Sequence, residues 1–193
     1  MLAVPRTGPQ AWLLPLAVGA TALIWRLWLS SRYFGWEESD YGNLMLVWEV
    51  IDSRFTWFRS DYMPAFYGLG ALFRLALPFP RGAPLAMTMG FSVATVVLGA
   101  LLARRLAGHS AGWLAGLWLA FQPESALYGA STLRAPVYSA FAFASCFLLV
   151  EGRKGGFAAA TLAFLTRMEA VLAFYGAALW AWTRDLGRGR LLV

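Results

Sequence analysis

The sequence predicts an all-α fold: a polytopic transmembrane helical bundle of about six spans, with two amphipathic interfacial helices in a long first outer loop. Three observations predict it. Of 193 residues, 60% are hydrophobic and only 13% charged, with a mean hydropathy of +0.58. Soluble domains run near roughly 45–50% apolar and about 25% charged, so a core of this size cannot hide the excess. The apolar residues also come in long runs, punctuated by basic residues, glycine and proline. Finally, the chain carries 10 tryptophans, a residue that collects at membrane–water interfaces.

The spans follow in order, each judged against the roughly 20 apolar residues needed to cross a bilayer. Residues 11–30 form the first. Arg6 ahead of this run resembles the start of a signal peptide, but the run is long for one and no small-residue cleavage site follows, so it reads as a retained span. Residues 84–103 are the second, closed by Arg104 and Arg105. Residues 110–121 make a short third that stops at Gln122-Pro123, and 132–150 a fourth that ends at Glu151. Residues 155–166 and 169–183 are two more, split by Thr166, Arg167 and Glu169. Gly99, Gly112, Gly116 and Gly176 within these runs suit close helix packing in lipid. The whole, residues 1–193, is a single membrane module, with 184–193 as a cytoplasmic tail or truncation point.

Charge sets the expected orientation. The net charge is +6 and the pI about 10.0. The basic residues flank apolar runs, so topology explains them and no nucleic-acid partner is implied. With the N-terminus in the cytoplasm, the inner segments carry Arg6, then Arg104 and Arg105, then Arg153 and Lys154, then Arg184, Arg188 and Arg190. The short outer loops carry only Arg134 and Arg167. The bias predicts an integral protein of a bacterial inner (plasma) membrane. Cys146, the single cysteine, lies inside an apolar run and allows no internal disulfide.

Residues 31–83 then lie outside. Leu44, Val47, Trp48 and Ile51 recur at helical spacing, with Glu49 and Asp52 on another face. A second run, Ala65 to Leu77, sits between Pro64 and Pro78. Both read as helices along the membrane surface. The competing reading of Ala65–Leu77, a short true span, would put the later basic pairs on the wrong side.

Three constellations could carry chemistry. Glu37, Glu38, Asp40 and Tyr41 stand at the mouth of the first span. Crowded carboxylates beside a low-dielectric surface repel one another and hold protons more tightly. That suits a general base, or a site for a divalent cation. The plainer reading is a solvated loop in which Asp40 caps the next helix. Arg134 begins the fourth span and Arg167 sits between the last two. Charges this close to the membrane interior are functional candidates, and a guanidinium can grip a phosphate with two hydrogen bonds. Their plainer readings are a snorkelling side chain and, for Arg167, an ion pair with Glu169. His109, the only histidine, falls in an inner linker. No Ser-His-Asp set, P-loop or cysteine-based metal site is present in the sequence.

The order of these features resembles the GT-C superfamily of polytopic glycosyltransferases, especially the protein O-mannosyltransferase and aminoarabinose-transferase branch. That pattern has one span, then an outer acidic motif, matched by Glu37-Glu38-Ser39-Asp40-Tyr41. An amphipathic helix follows, matched by Tyr41 to Ser53, and then a His-Pro-Pro-like entry to a second surface helix, whose place is taken by Met63-Pro64-Ala65 without the histidine. Ala103-Arg104-Arg105-Leu106-Ala107-Gly108, Phe121-Gln122-Pro123 and Leu165-Thr166-Arg167 take the places of later signatures. The likeness covers roughly residues 11–183, and it rests on order and spacing more than on any one motif.

The resemblance implies a sugar donor linked to a polyprenyl phosphate or diphosphate and transfer outside the cytoplasm. It places the catalytic carboxylate at Glu37, where aspartate is usual in the family. It puts the phosphate contacts at Arg167 and Arg134, and leaves Glu38, Asp40 and Tyr41 to orient the acceptor or hold a divalent ion. Many members have a second acid where Leu133-Arg134-Ala135-Pro136 stands, and members commonly run longer. Those departures keep open a second expectation, a non-catalytic relative packed within a larger membrane-protein complex. A small transporter is the third, without an internal repeat to support it.

Overall fold

The computed structural model describes residues 10–33, 51, 64–77, 82–131, 133–167 and 176. Among them there are seven helices and no strand. They are α1 (Gln10–Tyr33), α2 (Pro64–Ala76), α3 (Gly82–Ala107), α4 (His109–Phe121), α5 (Pro123–Gly129), α6 (Arg134–Val150) and α7 (Gly155–Thr166).

Two of these are long and apolar enough to cross a membrane: Trp12–Arg32 within α1, and α3. At 1.5 Å per residue, the 26 residues of α3 extend about 39 Å. α5 and α6 meet at 112° and would form a third, broken span if taken together. α4 and α7, with 13 and 12 residues, are each shorter as helices than the roughly 20 residues a full span needs. The expected span at 169–183 apart from Gly176, and the first surface helix, 41–52 apart from Ile51, lie outside the described residues.

Small residues decide how closely the helices approach. A Cβ on Gly116 would stand 2.7 Å from Val18 Cγ1 and 3.0 Å from Ala100 Cβ. One on Gly112 would stand 3.0 Å from Leu14 Cδ2 and 2.8 Å from Arg104 Cβ. Glycine at both places lets α1, α3 and α4 touch almost backbone to backbone, as lipid-embedded helices require for tight van der Waals contact. Leu14, Val18, Ala22, Val96, Ala100 and Ala120 close this seam.

The pairings also fix direction. Leu14 meets Gly112, Val18 meets Gly116, and Arg26 meets Ala120, so α1 and α4 run parallel and α3 runs against both. Gly99 faces Phe143, and Arg105 pairs with Glu151, so α6 runs with α3. One end of the bundle therefore gathers Gln10, Arg104, Arg105, His109, Glu151, Arg153 and Lys154. The other gathers Tyr33, the start of α3, all of α5, Arg134 and Arg167. Gly108 (φ 94) and Gly152 (φ 74) make the reversals at the first end. At Gly152 the helix closes with Gly152 N–H donating to the Leu149 carbonyl (3.0 Å) and Arg153 N–H to the Leu148 carbonyl (2.8 Å), a Schellman arrangement.

α2 packs Phe66, Tyr67 and Ala71 against Met87 of α3 and Val137 of α6. Its other face leaves Leu72 and Leu75 exposed, at 55% and 62%. Trp12, Ile24, Leu114 and Trp118 are also exposed elsewhere on the bundle. Large apolar side chains such as leucine and tryptophan stand outside in number, while an arginine, serines and threonines are buried among the apolar residues inside, a surface unlike that of a water-soluble fold. Lipid is the solvent that makes such a surface stable.

Candidate functional site

Among the described residues the largest fully buried side chain is Arg26, with 0% exposure. It lies on α1, two turns before the helix ends at Tyr33. A guanidinium has five N–H donors and cannot shed its charge, and an unmet donor in an apolar interior costs about 1–3 kcal/mol. Here all five find acceptors. Nε donates to Ser92 Oγ at 2.6 Å. Nη1 donates to the carbonyls of Ala22 (3.2 Å) and Ala120 (3.3 Å). Nη2 donates to Ser125 Oγ (3.2 Å) and the Ser125 carbonyl (3.5 Å). Every one of these acceptors is neutral.

Local sequence explains the arrangement. Pro123 lacks an N–H and suits the first position of a helix, so it ends α4 and begins α5. The break frees the last carbonyls of α4, including that of Ala120. Gly129 then lets α5 lie on the guanidinium: a Cβ there would collide with Ser92 Oγ and stand 2.7 Å from Arg26 Nε. The other buried hydroxyls mostly satisfy themselves within their own helices, Thr88 on the Pro84 and Leu85 carbonyls and Thr166 on the Leu162 carbonyl. Thr95 reaches across as well, to the Pro136 carbonyl at 3.4 Å. Ser92 is the one drawn into the arginine network.

Beside this network lies a cavity of about 300 Å³ between α3, α5, α6 and the end of α7. Ser92, Ser125, Glu124, Tyr128, Tyr138 and Arg167 are among the residues lining it. A shallow, open groove of about 640 Å³, almost wholly apolar, runs along the surface between α3, α4 and α6. It reaches Leu106 and Leu114 at the opposite end of the bundle. Leu119 and Phe143 wall both spaces. A polar chamber and an apolar groove thus share a partition, an arrangement able to take a molecule with a polar head and a hydrocarbon chain.

Of the residues singled out in the sequence, Arg167 lines the polar cavity. Arg134 does not, although Ala135 and Pro136 beside it do. Glu37, Glu38, Asp40 and Tyr41 lie outside the described residues, as does Glu169. His109 accepts a hydrogen bond from Trp113 Nε1 at 3.0 Å, at the end of the bundle away from the cavity. Among the described residues no three His, Cys, Asp or Glu side chains gather to hold a metal. Sequence reasoning passed over Arg26, Ser92, Glu124 and Ser125. The available signal was Arg26 itself, a charge deep in an otherwise apolar run, which is a functional candidate by position alone.

Comparison with family models, with curated proteins and with solved structures gave no match.

Proposed function

We propose that this chain is an integral membrane glycosyltransferase of GT-C type in a bacterial inner membrane. It would transfer a sugar from a polyprenyl-phosphate donor to an acceptor on the extracytoplasmic side. In this reading α4 and α7 are completed by neighbouring segments into a bundle of about six spans, and the end holding Arg104, Arg105, Arg153 and Lys154 faces the cytoplasm. The cavity end, with Arg134 and Arg167, faces outward. Glu37, four residues beyond the end of α1, acts as the base on the acceptor hydroxyl. Glu38, Asp40 and Tyr41 orient the acceptor or hold a divalent cation. Arg167 holds the donor phosphate.

The observation that carries the reading is the pairing of cavity and groove. A chamber lined by Arg167 and backed by a buried second guanidinium favours an anion. An apolar groove sharing its wall gives a hydrocarbon chain somewhere to lie. A lipid-linked phosphosugar has those two parts. In the outer leaflet its head would sit at the cavity end while its chain pointed toward the opposite end, as the groove does.

The test is transfer from a radiolabelled polyprenyl-phosphate sugar in membranes, with variants expressed at matched levels. Transfer by the native chain that is lost in Glu37→Gln supports the enzyme. Absence of transfer from every lipid-linked donor, with stable co-purification of other membrane proteins, would replace it with a non-catalytic subunit of a larger complex.

A further inference from the structure

The buried guanidinium does more than join helices. Both serine hydroxyls that accept from it, Ser92 and Ser125, also line the polar cavity. A hydroxyl has two acceptor sites and one donor hydrogen. When it accepts from a cation, its own O–H becomes a stronger donor, because hydrogen bonds in a chain polarise one another and a low dielectric amplifies the effect. The Ser92 hydroxyl spends its hydrogen on the Ser125 carbonyl, at 3.5 Å. The Ser125 hydroxyl keeps its hydrogen to give. It stands in a chamber that Arg167 also lines.

We propose that Arg26 is a positioning residue: through Ser92 and Ser125 it presents the Ser125 O–H to an anionic phosphate in the cavity, and so makes the site select a charged headgroup over a neutral one. The proposal rests on the reading of this cavity as the donor-phosphate site. Arg26 spends all five donors on protein acceptors, so it does not touch the ligand. Its charge reaches the ligand through the serine relay and through space, weakly screened because the side chain is fully buried. Among the described residues that line the chamber, Glu124 on α5 carries a carboxylate. The buried charge of Arg26 acts through the Ser125 hydroxyl, a donor that an anion accepts from more strongly than a neutral headgroup does. A dry pocket of polar but uncharged groups would have no such preference.

The experiment measures binding of radiolabelled farnesyl phosphate to the purified chain in lipid nanodiscs, competed with farnesol or inorganic phosphate. Native protein should bind farnesyl phosphate, resist competition by farnesol, and yield to inorganic phosphate only at far higher concentration. Ser125→Ala should weaken binding about tenfold or more, the usual loss for a hydrogen bond to a charged group. Its thermal unfolding midpoint should fall modestly, because Nη2 loses the Ser125 hydroxyl and keeps the Ser125 carbonyl, and binding is compared at a temperature where both proteins remain folded. Arg26→Met should weaken binding as much, and Arg26→Lys should recover part of the loss. Native affinity in Ser125→Ala overturns the relay while leaving the cavity as a phosphate site. Equal competition by farnesol and farnesyl phosphate in the native chain overturns both. Displacement by inorganic phosphate at equal concentration would show a free-anion site and remove the lipid from the proposal.

Discussion

Arg105 Nε lies 2.7 Å from Glu151 Oε1, an ion pair that ties the last turn of α3 to the residue that closes α6. Each side chain is about a quarter exposed, at 22% and 28%. The pair puts the two basic segments, Arg104-Arg105 and Arg153-Lys154, at one end of the bundle. Two pairs that sequence reasoning assigned to the same compartment are thus neighbours in space.

Labelling should read out that arrangement. With an impermeant thiol reagent on intact cells, Ser39→Cys in a Cys146→Ala background is expected to label strongly and His109→Cys not at all. The reverse pattern would turn the bundle over and place the cavity in the cytoplasmic half.

The ion pair itself should matter little to stability. Both side chains keep partial contact with solvent although Arg105 Nε itself is buried, and surface pairs are commonly worth about 0.2–1 kcal/mol. Glu151→Gln is expected to shift detergent-state unfolding by no more than that, with the shift shrinking as salt rises. A loss of several kcal/mol would mean that the pair is desolvated by the surrounding lipid.

Helix approach should be the larger lever. Gly116→Leu forces a side chain between α4, Val18 and Ala100, and overpacking of this kind costs about 1–3 kcal/mol. Gly68→Ala on α2 meets nothing within 4 Å. It should be neutral or stabilising by up to about 1 kcal/mol, since alanine holds a helix better than glycine. The unfolding midpoint should fall in Gly116→Leu and hold or rise in Gly68→Ala.

Chemistry is tested at Glu37 and Arg167. Glu37→Gln keeps size and most hydrogen bonds but cannot take a proton, and should cut transfer about 10²–10⁴-fold. Arg167→Ala should raise the donor KM more than it lowers kcat, and Arg167→Lys should restore part of the loss, because a point charge replaces a planar fork. Full activity in Glu37→Gln would end the assignment of that residue.

Gly129→Ala tests the seat of α5. The added methyl drives into Ser92 Oγ and Arg26 Nε, so α5 must lift off the arginine. Unfolding should come at lower temperature, and donor binding should weaken even though no lining side chain has been removed.

Much of the helical layout was legible, because Pro, Gly and charge mark helix ends whatever surrounds them. The run 155–166 coincides with α7, 132–150 nearly with α6 (Arg134–Val150), and 65–77 nearly with α2 (Pro64–Ala76). α5 was missed since Gln122-Pro123 reads as a stop, while the same proline opens the next helix. The site was less legible. Arg167 could be picked out as a charge between apolar runs. Arg26 was counted as span content, because its burial depends on Ser92, Ala120 and Ser125, far away in sequence. Nothing local marks Glu124 as functional, and only the turn from α4 to α5 brings it to the cavity.

The reach of the Arg26 network has a consequence for how the chain is made. Its partners outside α1 lie 66, 94 and 99 residues further along. The first span therefore leaves the ribosome long before those acceptors exist. A lone arginine inside a membrane helix costs about 2.5–3.5 kcal/mol to insert, so the contacts that offset this cost for α1 are complete only once Ser92, Ala120 and Ser125 have been made.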